Sequence, residues 1–229
     1  MKKLFVIALL GMSVAAQSQI LISLLFGDKL NSDGVEFGLD GGLAIPTLTQ
    51  TEELKARYTL NLGMYFDIRI RESWFLHTGF IVKSPGGGAN ISPYTTGISS
   101  IDDQLDKSKV TRRLGYIHLP AFIRYRFPNF LFLEGGPQVG FMTAAYDRFR
   151  IQSGDNDLEY KHDLINQHHR WDAGLTVGVG YKLFHGRGIT TGVRYYMGLT
   201  DVSKNDGIQQ NRIGYIYVSI PIGRHDIPE

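Results

Sequence analysis

The sequence predicts an all-β fold: an eight-stranded antiparallel up-and-down transmembrane β-barrel. Three observations predict it. Apolar residues take every second position along Tyr58–Ile70, Leu114–Phe127, Phe130–Met142, Trp171–Leu183 and Ile189–Leu199. This spacing gives each stretch one greasy face and one polar or small face. Long polar connections alternate with very short ones, and charged residues fall among glycines on the polar face. A greasy sheet face either closes a core or meets lipid, and in lipid the sheet has to close on itself.

Eight segments are each long enough to cross a membrane when tilted. The first, Gly34–Ile45, sets Val35, Phe37, Leu39 and Leu43 against Glu36, Gly38, Asp40 and Gly42. In the second, Tyr58–Ile70, Leu60, Leu62, Met64, Phe66 and Ile68 alternate with Asn61, Gly63, Tyr65, Asp67 and Arg69. The third is Ser73–Lys83, the fourth Val110–Phe127 and the fifth Phe130–Ala145. The sixth is His169–Phe184, the seventh Gly188–Thr200 and the eighth Arg212–Gly223. The eighth is apolar on both faces over Ile213–Ile222, so its pattern leaves its orientation open.

The connections decide between soluble and membrane versions. Pro46–Arg57, Ser84–Lys109, Tyr146–His168 and Asp201–Asn211 are long; Arg71–Glu72, Pro128–Asn129 and His185–Arg187 are short. Long and short alternate strictly. Outer-membrane barrels place short turns in the periplasm and long loops outside. A soluble lipocalin-like barrel shares the topology but has no reason to segregate its loops by length. Glycine beside charge also suits a crowded lumen, where a long side chain needs space opposite it. The charges are therefore expected inside and the apolar residues against lipid.

The ends of the chain agree with export. Lys2 and Lys3, the apolar stretch Leu4–Ala16, and Ala15, Ala16 and Ser18 near a cut site predict a signal peptide over residues 1–18. Residues 19–33 are expected to form a periplasmic segment, docked at the mouth or frayed; 34–223 form the barrel and 224–229 a tail. No later stretch has the ~20 consecutive apolar residues of a spanning helix. With no cysteine, the chain has neither disulfides nor a lipoprotein anchor. Lys2 and Lys3 account for the formal charge of +2, so the exported chain is near neutral and nucleic acid is not an expected partner.

Several spaced motifs resemble a known family. Strand four reads Tyr116-Ile117-His118-Leu119-Pro120 and then Arg124-Tyr125; strand five reads Glu134-Gly135-Gly136-Pro137 and then Gly140. Strand six has Asp172-Ala173-Gly174 and Gly178-Val179-Gly180. Strand seven has Arg194-Tyr195, Gly198-Leu199, Asp201 and Val202, and Asn211 opens strand eight. From about Gly34 to Gly223 the chain resembles the PorT-like outer-membrane β-barrel family of the Bacteroidota. The resemblance implies location and architecture, with Tyr116, Pro120, Gly136, Gly174, Gly178, Gly180, Gly198 and Asp201 as family positions. His118 stands where relatives commonly carry glutamate, which changes the partner available to Arg124. The final strand lacks the aromatic end of many relatives.

The set Asp67, Arg69, Arg124, Arg126, Glu134, Asp172, Lys182 and Arg194 is the candidate site. Buried charges need partners, so the expectation is a paired network that fills the lumen and fixes register. The competing reading is a narrow path or ligand site, although eight strands leave an interior that side chains can fill. His168-His169 point to opposite faces and do not form a metal pair. Asp155-Asn156-Asp157 lacks the rest of a calcium loop. Ser73 and His77 are ~13 Å apart along a strand, too far for nucleophile and base. No catalytic residue, metal or cofactor is expected. The expected role is structural or interaction-based, with outer-membrane lipid and envelope proteins as partners and no enzymatic activity.

Overall fold

The computed structural model describes residues 30–32, 34–49, 56–97, 102, 108–153, 156–186, 188–204 and 207–223. The signal peptide, most of the 19–33 segment and the 224–229 tail lie outside the described residues. Nine strands form in chain order: β1 Val35–Leu48, β2 Thr59–Arg71, β3 Trp74–Ile91, β4 Lys109–Arg126, β5 Leu131–Ser153, β6 Asn156–Asp163, β7 Trp171–Lys182, β8 Thr190–Gly198 and β9 Asn211–Pro221.

Eight of them make a ring. The order β4-β3-β2-β1-β9-β8-β7-β5 closes through β4–β5 pairing. Each neighbouring pair is antiparallel, so the ring itself has no free edge. Strand β6 is the return arm of a hairpin on the loop side, pairing only with Tyr146–Ser153 of β5.

The alternation points as the polarity requires. Leu62, Val177 and Val193 lie outward at 44%, 51% and 49% exposure, while Asp67, Thr176 and Arg194 on the same strands are buried. Aromatic side chains gather at both rims. Trp74, Tyr125 and Phe127 pack together beside the short turns, and Phe141 packs on Trp171 at the loop end. Such girdles mark the two interfaces of a membrane barrel. Strand β9 resolves its ambiguity: Ile213, Tyr215, Tyr217 and Ser219 are buried, while Ile216, Val218 and Ile220 face out.

Two strands are longer than their periodicity. Strand β3 was expected to end at Lys83 but runs to Ile91. Its register slips between Ile81↔His118 and Ser84↔Tyr116, so three steps on β3 match two on β4. This bulge moves the inward parity from odd to even residues and hides the continuing strand from a period-two reading. Strand β5 slips in the same way at Thr143. Its continuation and β6 occupy much of Tyr146–His168, which was expected to be loop.

The connection from β7 to β8 is tight. Phe184 and His185 both have φ of 53°, and Gly186 follows at 81°. Two consecutive left-handed residues suit a turn whose twist matches an antiparallel pair.

Candidate functional site

Inward parity places the polar residues of eight strands in one narrow lumen, arranged in layers. Nearest the short turns, Lys182 Nζ donates to Glu36 Oε1 and Oε2 at 2.5 and 2.6 Å, and Tyr65 Oη donates to Glu36 at 3.1 Å.

The central layer carries the densest charge. Arg124 donates to Asp67 at 2.5 Å and to Glu134 Oε2 through Nε and Nη2 at 3.1 and 2.8 Å. Arg194 donates to the other Glu134 oxygen at 2.6 Å and to Asp40 at 2.8 Å. Tyr217 Oη also donates to Glu134, at 3.0 Å, and Ser219 Oγ donates to Asp40. His77 lies between the arginines. Its Nδ1 is 2.7 Å from Asp67, and its Nε2 is 3.0 Å from Arg194 Nη2. Nδ1 also lies 3.1 Å from Arg124 Nη2, so each ring nitrogen faces a guanidinium and the ring bridges the two arginines beside Asp67.

The walls of this layer are aromatic. Arg124 stacks over Phe132 at 4.2 Å and Arg194 over Tyr217 at 3.7 Å. Glycine makes room for the long cations: a Cβ on Gly178 would sit 2.9 Å from Arg194 Cγ and 3.0 Å from Glu134 Oε1.

Toward the loops the layer is polar with fewer full charges. Asn211 Nδ2 donates to Asp172 at 2.8 Å and to Tyr116 Oη at 3.1 Å, and Thr200 Oγ1 donates to Asp172 at 3.1 Å. His118 stacks on Tyr116 and lies 4.0 Å from Asp172. Its neighbour is therefore Asp172, not Arg124 as expected. Above this layer Leu48, Leu114, Met142, Ala145, Leu164 and Val202 form a dry cluster across the mouth. Leu164 and Val202 come from the loops.

Among the described residues the opposite end is open. A cavity of about 250 Å³ lies beside Val35, Phe75, Phe130 and His185 and is floored by Glu36, Asp67 and Lys182. Arg69 and Arg126 line it, both beside the Phe75 ring. They stand at this mouth and are not members of the hydrogen-bonded central layer.

The candidate set thus divides. Asp67, Arg124, Glu134 and Arg194 meet in the centre, Lys182 pairs with Glu36 below, and Asp172 belongs to the loop-side layer. Glu36, Asp40, His77, Tyr217, Ser219 and Asn211 complete the arrangement but were not in the set. The alternation already put Glu36 and Asp40 on the polar face of β1. Tyr217 was hidden because both faces of β9 are apolar.

The family positions are mostly close-packing points. Gly174 and Gly198 are cross-strand partners, and a Cβ on Gly174 would land on the Met197 carbonyl. Gly136 lies against Phe122 of β4, and Gly180 against the Phe132 ring. The Pro120 carbonyl accepts from Thr78 Oγ1 at 2.8 Å. Asp201 accepts from the amides of Ser203 and Gln209 at 3.0 and 2.9 Å and shapes the last loop. Among the described residues no group of three or more His, Asp or Glu side chains could hold a metal ion.

Fold and lumen define a small transmembrane β-barrel whose interior is filled by its own side chains. The chain belongs to the outer membrane protein beta-barrel domain family, whose model matches residues 16–204. It is an outer-membrane protein, seated in the lipid of that membrane. Among solved structures it is similar to Neisserial surface protein A, with 12% identity over 84% of this chain and 98% of that one and a TM-score of 0.42. It is also similar to Ail of Yersinia pestis, at 11% identity over 83% and 99% with a TM-score of 0.41. OprG of Pseudomonas aeruginosa is similar at 13% identity over 82% and 93%, with a TM-score of 0.36. No curated protein sequence matches the chain.

Proposed function

We propose that this protein is a sealed, rigid anchor in the outer membrane with a structural or interaction role and no enzymatic reaction of its own. Within the barrel family its strand motifs support a reading as a PorT-like protein of the Bacteroidota, exported by a signal peptide over residues 1–18. The observation that carries the reading is the closed lumen. Arg124, Tyr65, Phe122, Phe132, Tyr217 and Lys182 are nearly fully buried in it, and the loop mouth is covered by apolar side chains. Charges held this way fix strand register; they do not conduct. The hairpin of β5 and β6 then rises above the membrane as a firm surface for envelope partners.

Conductance tests the reading. Purified protein in a planar bilayer should show no steady open level, whereas a stable ion current in the unmodified protein would overturn it. A second reading, ligand binding without passage, draws support from the cavity beside Arg69 and Arg126. It predicts saturable uptake of a small anion without current.

A further inference from the structure

The lipid-facing side of β4 and β5 does not end at the aromatic girdle. Outward residues on β4 run upward from Ile117 through Gly115 to Arg113, Thr111 and Lys109. Their β5 partners, in the same rows, are Phe141, Ala144, Tyr146, Arg148 and Arg150. Strand β6 extends the upper rows with Asp163, Lys161 and Glu159. The lower part of this surface is apolar and the upper part is cationic. Arg113 lies four residues above Ile117, roughly 13 Å along the strand. In a tilted strand that height falls in the interfacial layer of a bilayer.

Among the described side chains the charges there are not balanced. Lys109, Arg113, Arg148, Arg150 and Lys161 share the face with Glu159 and Asp163. Glu159 is held by Arg148 at 3.0 Å and lies 3.8 Å from Lys161. Asp163 is engaged by the Ile165 amide at 2.8 Å. A further cation, half-buried Arg57, lies within electrostatic reach of Arg113, Tyr146 and Arg148 on the same face. The Nε atoms of Arg57 and Arg113 are buried, and neither has a hydrogen-bond partner among the described residues. Guanidinium groups that outnumber the carboxylates beside them are poised for a multivalent oxyanion.

We infer that this face binds the phosphate groups of a phosphorylated glycolipid in the outer leaflet, with Arg113, Arg148 and Arg57 as the principal donors. The source of the anion follows from continuity. The wall that contacts acyl chains leads directly into the cationic rows, so a lipid bound along β4 and β5 carries its headgroup to them. Phosphate matches the forked donors of arginine, and low-dielectric surroundings strengthen the contact.

The test compares lipids that differ only in phosphate. The barrel is folded into neutral vesicles doped with bisphosphorylated lipid A or with its dephosphorylated form, and co-purifying glycolipid is counted by native mass spectrometry. The expected result is at least a tenfold preference for the phosphorylated form, reduced to near parity in Arg57→Gln/Arg113→Gln/Arg148→Gln. Gly214→Ala, on the far side of the barrel, should keep the full preference. Equal retention of both lipids by the unmodified protein overturns the inference, whether or not the triple variant folds. So does an undiminished preference in a folded triple variant. Displacement of the lipid by millimolar inorganic phosphate, or by a soluble sulfated glycan, would overturn its assignment to a membrane glycolipid.

Discussion

Arg124 and Glu134 face each other directly across the β4–β5 ladder, and both the Nε and Nη2 hydrogens of the arginine reach one glutamate oxygen. The other oxygen is taken by Arg194, which comes from β8. One carboxylate therefore ties the neighbouring strands β4 and β5 to β8, 60 residues further along the chain. A slip of one residue in β5 would turn Glu134 to lipid and leave two guanidinium groups without it.

Glu134→Gln should be strongly destabilising. Removing one partner of a buried ion pair typically costs about 3–5 kcal/mol, because the charge left behind keeps its desolvation penalty. The check is the temperature at which the compact gel band converts to the unfolded one, which should fall well below that of the unmodified protein. Removing Arg124 and Arg194 along with Glu134 should deepen the loss, because Asp67 and Asp40 would then be buried without their guanidinium partners.

Lys182→Met should weaken the periplasmic layer in the same direction. Glu36 would keep Tyr65 as a hydrogen-bond donor but lose the ammonium 2.5 Å away. Urea unfolding from vesicles should show a lower midpoint. Lys182→Met/Glu36→Leu should return most of the stability, since an apolar pair of similar volume can replace a buried ion pair.

Glycine positions should separate by what surrounds them. Gly174→Val would drive a side chain into the Met197 backbone carbonyl, and the folded band should be lost. At Gly214 an added Cβ meets only Ile45 Cβ, at 3.9 Å. Gly214→Ala should stay within ~0.5 kcal/mol of the unmodified protein. Gel mobility before and after heating distinguishes the two.

Acid should loosen the loop-side plug. Burial holds the His168 imidazole below its ordinary value, outweighing the Leu164 carbonyl that accepts from its Nδ1 at 2.9 Å. The released loop takes up a proton near pH 6.5, while the packed loop does so only at lower pH. The released form thus binds more protons in that window, so packing is complete above about pH 6.5 and weakens as pH falls below it. A spin label at Ile165→Cys should gain mobility between pH 7.5 and 5. His168→Gln should remove that pH dependence.

The barrel was legible because its period of two has a single physical cause, lipid on one side and a crowded lumen on the other. The eight strands of the ring, their order and most of their boundaries follow from it. What escaped was set by exceptions to that period. The bulges at Val82–Lys83 and Thr143 reverse parity, so the upper parts of β3 and β5 read as loops. The polar composition of Tyr146–His168 reflects a hairpin that has left the hydrocarbon layer. Arg69 and Arg126 share inward parity with Asp67 and Arg124, but they lie at the strand ends, where the lumen opens into the cavity. Alternation gives the face of a side chain, while its depth along the barrel depends on register across neighbours.

The direct test is which solvent touches which face. The natural sequence has no cysteine, so single cysteines at Leu62, Val177 and Val193 can each carry one fluorophore in the folded barrel, and a cysteine at Thr176, which is buried in the lumen, serves as the control. The outward three should be quenched by lipid-soluble agents and spared by water-soluble ones, while Thr176→Cys should react with neither label nor quencher unless the barrel is unfolded. Ready quenching of the outward three from water, with none from lipid, would contradict the account.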